Sequence, residues 1–290
     1  MIIISAAGYL ILSLLGSRLL RWAGGLVAGP GSPDTRLWVN LTGVLGSAVL
    51  LLSLWWVGLD AAGIDDTIAR TPLDVTRYLF NGDDGAAARS AVGHNLQITL
   101  KDTFGGFLLG ILLAVGCAVL ATRARWIGDL IVPVAVILRA TPMVAVAPVM
   151  FVAIGRGYVA VTFLVALLVF FPAFLILLEG MASTPTELSD IVRALGGHGS
   201  EVSHYVTLPA AIPYLFSALR VTLPNAIMAA LIAEWLATGQ GLGAALIRDI
   251  TRFNFDSLWT GVFVATAVSV LLYTLVDVTE TGYRRRRHLV

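Results

Sequence analysis

The chain has 290 residues, 58% of them hydrophobic and 13% charged, with a mean hydropathy of +0.87 and a formal net charge of +1. Soluble domains carry about 25% charged residues, so roughly half the usual charge is missing and a water-soluble globule is excluded. The near-neutral balance gives no reason to expect a nucleic-acid partner, and the single cysteine, Cys117, excludes intramolecular disulfides and thiolate metal clusters.

Apolar runs of about 20 residues match a hydrocarbon core of about 30 Å. They predict an all-α integral membrane protein with about seven spans, near 3–21, 40–58, 95–121, 128–154, 157–181, 212–238 and 256–281. Residues 1–60 hold two N-terminal spans; the first lacks a small-residue cleavage site and reads as a helix rather than a signal peptide. Residues 61–94 read as an extracytoplasmic loop with a short surface helix, carrying Asp65, Asp66, Asp74, Asp83 and Asp84. Residues 95–283 form the core, with a polar loop at 182–211, and 284–290 form a basic tail. Cytoplasmic flanks collect Lys and Arg. Arg18, Arg21, Arg36, Arg123, Arg125 and Arg284 to Arg287 therefore place the N-terminus outside and the C-terminus inside.

Gly106, Gly110, Ala114 and Ala118 recur every four residues and put a small-residue stripe on one face of the third span, as close helix packing in lipid requires. In "LRATPMVAVAP", Pro142 and Pro148 interrupt the fourth span beside Arg139; Pro172 and Pro224 are expected to interrupt later ones. Broken helices at membrane depth are tolerated where the backbone is buried in protein or lines a watery cavity.

The polar loop contains "STPTELSDIVRALGG". Thr184 fits an N-cap, Pro185 the first helical position and Glu187 the reciprocal capping position. Leu188, Ile191, Val192 and Leu195 form one apolar face, and Gly196 with Gly197 end the helix. Val202, Tyr205 and Val206 suggest a second short turn before Leu208-Pro209. An interfacial helix would favour several basic residues, and only Arg193 is there. A metal site through His198 and His204 lacks completing ligands. A surface presented to a cytoplasmic partner is the third reading.

These residues resemble a known family. Asp190-Ile191-Val192, three residues, Gly196, nine residues and Val206-x-Leu208-Pro209 match the spacing of the EAA signature of binding-protein-dependent ABC importer permeases. The likeness runs from about 95 to 283 and includes "ATPMVAVAPVMFVAIGRG", "LPAAIPYLFSALRVTL" and "IAEWLATGQGLGAALI". The last two look like the sulfonate, taurine and nitrate branch. The resemblance implies a five- to six-helix permease core with a cytoplasmic coupling helix, in the bacterial inner membrane. It also implies two ATP-binding cassette ATPase subunits, a second permease copy (as a homodimer), an extracytoplasmic substrate-binding protein and ATP on the partner ATPase. Coupling would fall on Glu187, Asp190, Ile191, Arg193, Gly196, Gly197, Tyr205, Leu208 and Pro209. Ile191 and Val192 replace two alanines of the signature. Ser200 and Ser203 stand where the branch carries aromatics, so either Tyr205 takes over as anchor or docking is weaker. The branch has one helix before its core and this chain has two; "GYLILSLLGSRLLRWAGG" looks like the closing helix of another such permease.

Lys101 is the only lysine and lacks the flanks of a P-loop, so this chain carries no Walker A motif and no cofactor of its own is expected. No catalytic triad or HExxH is visible, so the chain reads as a transport subunit and not an enzyme. Ionisable groups at membrane depth default to functional candidates. Arg139, Arg220 and Glu234, with Pro142, are therefore expected at the pathway or its gates. Arg220 reads equally as structural, and Glu234 could instead pair with an arginine. Lys101 and Asp102 read as interface residues, Glu179 and Asp277 as structural. The expected cargo is a small solute, with an anion such as a sulfonate or nitrate suggested by the arginines. An ion-coupled secondary transporter is the alternative.

Overall fold

The structure is a computed structural model that describes Gly46, 53–55, Gly58, 67–81 and 85–286. It divides into two units, Met1–Asp65 and Asp66–Val290. In the first, the described residues are helical; most of the two N-terminal spans expected there lies outside the described residues.

The second unit is helical throughout its described regular elements: α1 (Pro72–Phe80), α2 (Gly85–Arg123), α3 (Arg125–Ala140), α4 (Met143–Ile154), α5 (Tyr158–Ala182), α6 (Thr186–Ala194), α7 (Gly199–Val202), α8 (Leu208–Ala233), α9 (Gly241–Thr251) and α10 (Phe255–Arg286). Two π-helical turns, Ser203–Thr207 and Glu234–Thr238, join α7 to α8 and extend α8. Among the described residues four helices are long and apolar enough to cross a membrane, and 126–138 and 144–154 are shorter apolar helices. A multi-pass membrane protein follows.

The expected short surface helix is α1. Thr71 caps it: the Asp74 N–H donates to the Thr71 hydroxyl and the Thr71 N–H to the Asp74 carboxylate. Val75 is its buried residue; Arg70 pairs with Asp256 at 2.6 Å, and the Trp259 indole N–H donates to the Ile68 carbonyl, fixing α1 to the start of α10.

At the centre lies α5, packed most extensively against α2 and then α8. Val161, Leu164, Val165, Val169, Ala173 and Phe174 are buried along it. The small-residue stripe of α2 is the reason these helices come so close. A β-carbon on Gly106 would lie 2.8 Å from the Thr162 carbonyl oxygen, and one on Gly110 2.7 Å from that of Ala166. Ala114 and Ala118 are fully buried below them, and Cys117 packs beside this core as a small apolar group.

Several boundaries differ from expectation. The region 128–154 is two helices broken at Thr141-Pro142, so Pro142 does interrupt it. Pro148, Pro172 and Pro224 do not interrupt: α4, α5 and α8 continue through them. Neighbouring helices and local adjustment tolerate the lost N–H within a packed bundle. Thr184 is not the N-cap of α6. Pro185 takes an extended ψ of 131° and occupies the cap without a side-chain bond, so the helix starts one residue later than expected. Val202, Tyr205 and Val206 do not form an isolated turn. They open a continuous helical stretch from Gly199 to Thr238, and the polar connection ends near His198 rather than 211.

Candidate coupling and gating sites

The α6 end of the bundle carries the first site. The helix TELSDIVRA ends at Leu195, and Gly196 then turns the chain at φ +86°, in the left-handed region where glycine carries no steric penalty. The Gly196 N–H donates to the Arg193 carbonyl and the Gly197 N–H to the Val192 carbonyl. Gly197 is small for a second reason: a β-carbon there would lie 2.7 Å from Val192 Cγ1. Val192 therefore folds back on the turn, while Leu188, Ile191 and Leu195 point outward, Leu195 with 84% of its surface exposed.

Glu187 sits in the first turn of α6 and Arg193 in the last, each on the end the helix dipole favours. Asp190 and Arg193 form an exposed ion pair at 3.3 Å. Beyond the glycines, Ser203 is buried and Tyr205 is exposed, its ring edge-on to His204 at 5.0 Å between centroids. Tyr205 is thus the outward-facing aromatic of the segment. Leu208 is half-buried and Pro209 exposed in the first turn of α8. A cleft of about 520 Å³ runs beside them, walled by Leu177, Met181, His204, Tyr205 and Ile212 among others. Among the described residues no group of three or more His, Cys, Asp or Glu could hold a metal.

The expected gate residues are not gathered in one place. Arg139 lies in the last turn of α3 next to the Thr141-Pro142 break, and its side chain lies outside the described residues. Arg220 turns to α10, where it pairs with Asp277 at 3.5 Å and with Glu280. Arg284 joins the same Glu280 at 2.7 Å, so both charges of α10 that face Arg220 belong to one tie between α8 and α10. Asp277 is structural, as expected.

Glu234 is completely buried at the opposite end of the 199–238 helix. Among the described residues it has no arginine partner. Its Oε2 accepts from the Thr99 hydroxyl at 3.0 Å and from the Gly243 N–H at 2.8 Å. The Leu242 N–H donates to the same Thr99 hydroxyl at 2.9 Å. The glycines of "GQGLG" make room for this. A β-carbon on Gly241 would overlap the Glu234 carboxylate, and one on Gly243 the Leu231 carbonyl.

Thr99 was not legible as a partner from sequence, although Thr99, Asp102, Thr103, Gly106 and Gly110 follow helical spacing on α2. All five are buried. Asp102 is therefore not an interface residue. Its neighbour Lys101 is exposed, with its ammonium 4.8 Å from the centre of the Tyr158 ring.

Comparison with known proteins agrees with this geometry. The chain is 28% identical over 234 residues to the riboflavin transport system permease protein RibX of Chloroflexus aurantiacus, covering 80% of this chain and 85% of the relative. It is 25% identical over 268 residues to the taurine transport system permease protein TauC of Escherichia coli (strain K12), covering 91% and 92%. Its fold resembles a chain in the crystal structure of an amino acid ABC transporter with histidines, at a TM-score of 0.54 and 15% identity over 69% of this chain and 96% of that one. Residues 106–287, which hold α6, Arg220 and Glu234, match the family model for the binding-protein-dependent transport system inner membrane component, and the chain belongs to that family.

Proposed function

We infer that this chain is the permease subunit of an ABC importer, forming the pathway for a small solute and coupling it to a separate cytoplasmic ATPase. The observation that carries this reading is the α6 face. Leu188, Ile191 and Leu195 stand exposed on a polar connection between spans, held in register by the Gly196 turn. A contiguous apolar row outside the bilayer marks a surface that another protein covers. In an importer that protein is the ATPase, with ATP bound on it and not on this chain. Glu187, Asp190 and Arg193 would rim the interface and Tyr205 would add an aromatic anchor. The α6 end is then cytoplasmic, and the opposite end, with α1 and α9, faces an extracytoplasmic binding protein.

A pathway built from one such bundle calls for a second copy, most simply related by a two-fold axis, with one ATPase on each α6. The Pro142 break with Arg139, and the Glu234 end of α8, are the pathway elements. Arg220, already engaged by two carboxylates, serves to carry movement of α8 to α10. The cargo class follows the relatives in breadth, from a sulfonate such as taurine to larger heterocycles, with a small anion favoured by Arg139.

Uptake into vesicles tests this. The protein reconstituted with its partner ATPase and binding protein should accumulate solute only with hydrolysable ATP inside. Uptake driven by a proton or sodium gradient without ATP would establish a secondary transporter instead.

A further inference from the structure

The buried end of α8 holds an arrangement that transport coupling alone does not explain. The helix does not stop at Glu234; it widens into a π turn, passes Gly239 in the left-handed region and re-enters as α9 through Gly241 at φ +85°. π turns inside helices recur at functional positions. Here the turn brings the Glu234 carboxylate back over the first residues of α9, into space that only glycine leaves open.

Thr99 completes the arrangement from a third element. It lies 135 positions away from Glu234, and one hydroxyl serves both the carboxylate and the Leu242 N–H. That hydroxyl is also 3.1 Å from the Asn95 carbonyl in its own helix. Thr99, Glu234 and Leu242 are all at most 2% exposed. Buried polar groups in such surroundings have no water to replace a lost partner, so the tie is directional and costly to break. Contact between α9 and α10 is of another kind. It includes apolar packing at Gly261, whose β-carbon would lie 2.8 Å from Leu246 Cδ2. α9 itself is a short helix with Gly239 and Gly241 on one side and Phe253, at φ +55°, on the other.

We propose that Thr99 and Glu234 are positioning residues that latch α9 to α2, so that α2, α9 and the end of α8 move as one body during the transport cycle. This rests on the importer reading for the cycle itself, but the latch can be measured without it.

Glu234 Oε1 has no hydrogen-bond partner among the described residues. A glutamine at this position keeps an oxygen for both donors and places its amide where Oε1 lies, which distinguishes a latch from a requirement for charge. The test is a pair of spin labels at His94→Cys on α2 and Ile250→Cys on α9, both exposed positions, in a Cys117→Ala background. In the intact complex the α2–α9 distance should stay single and unchanged between nucleotide-free and ATP-bound states. Thr99→Val, which removes the hydroxyl and keeps the shape, should broaden and shift the α2–α9 distribution even without nucleotide. Glu234→Leu should do the same and Glu234→Gln should keep the native distribution. A native α2–α9 distance that changes with nucleotide, or a Thr99→Val distribution like the native one, overturns the latch. Failure of the importer reading looks different: no ATPase accompanies the chain, yet the comparison of native with Thr99→Val still stands.

Discussion

Gly110→Ala is the substitution whose effect the helix packing determines most fully. The added β-carbon would lie 2.7 Å from the Ala166 carbonyl oxygen and 2.8 Å from Val169 Cβ. Non-bonded carbons rest at about 3.5–4.0 Å, so α2 must retreat from α5 by about 0.7–1.2 Å at this level. α5 cannot yield on its far side, because it is also packed extensively against α8, and Ala173 and Phe174 are buried in the same core. Overpacking of this kind costs about 1–3 kcal/mol. The intrinsic helix gain of alanine over glycine, about 1 kcal/mol, works the other way. Gly116→Ala on the same helix isolates the packing contribution, since nothing lies within 4 Å of its β-carbon position. The assay is reversible unfolding in mixed micelles with increasing dodecyl sulfate. Gly116→Ala should unfold at or above the native midpoint. Gly110→Ala should be less stable than Gly116→Ala by about 1–3 kcal/mol, and Gly106→Ala should follow it. Equal midpoints for Gly110→Ala and Gly116→Ala would refute the close approach of α2 and α5.

The turn after α6 makes a second test: Gly196→Ala forces an L-residue to φ +86°, at about 1–2 kcal/mol, and should weaken ATPase co-purification while Gly199→Ala does not. Asp190→Arg breaks only an exposed ion pair, worth at most about 1 kcal/mol, so it should abolish docking with an unchanged unfolding midpoint. Arg220→Ala strands the buried Glu280 with Arg284 alone; it should lower stability without altering solute preference, and a changed preference would return Arg220 to the pathway. Outside the membrane, the Thr71 hydroxyl bonded to Asp74 holds that carboxyl below its usual 3.8, helped by Arg77 and Arg70. The stability this lends α1 is fully present above 3.8 and is lost as pH falls through the lowered folded value. Protection of the α1 amides, taken relative to the intrinsic exchange rate at each pH, should therefore fall at acid pH in the native chain, and Asp74→Asn should remove most of that pH dependence.

Much of this was legible because lipid restricts the choices. Spans appear as long apolar runs, and the stripe from Gly106 to Ala118 shows at once which face of α2 another helix must meet. The α6 amphipathic row and its glycine stop were equally readable, since 3.6-residue spacing and positive φ are local properties. What escaped has non-local causes. Thr99 meets Glu234 only because the π turn and two glycines fold α9 back, and spacing in neither segment encodes the meeting. Asp102, charged and next to a lysine, looks like an interface residue until the face it shares with Thr99 and Thr103 is seen to be buried. The prolines misled for a related reason: Pro148, Pro172 and Pro224 read as breaks in isolation, whereas a packed bundle absorbs each missing N–H. Pro142 differs in following Thr141, which is extended at ψ 128° and already ends α3.

The most direct measurement is co-purification of an ATPase with the detergent-solubilised protein from its native membrane, for the native chain and for the triple variant Leu188→Ser/Ile191→Ser/Leu195→Ser. These three side chains are exposed, so their replacement leaves the bundle itself intact. The expected result is an ATP-binding cassette ATPase that accompanies the native chain and is lost with the variant. An ATPase bound equally by both, or by neither, would contradict coupling through α6.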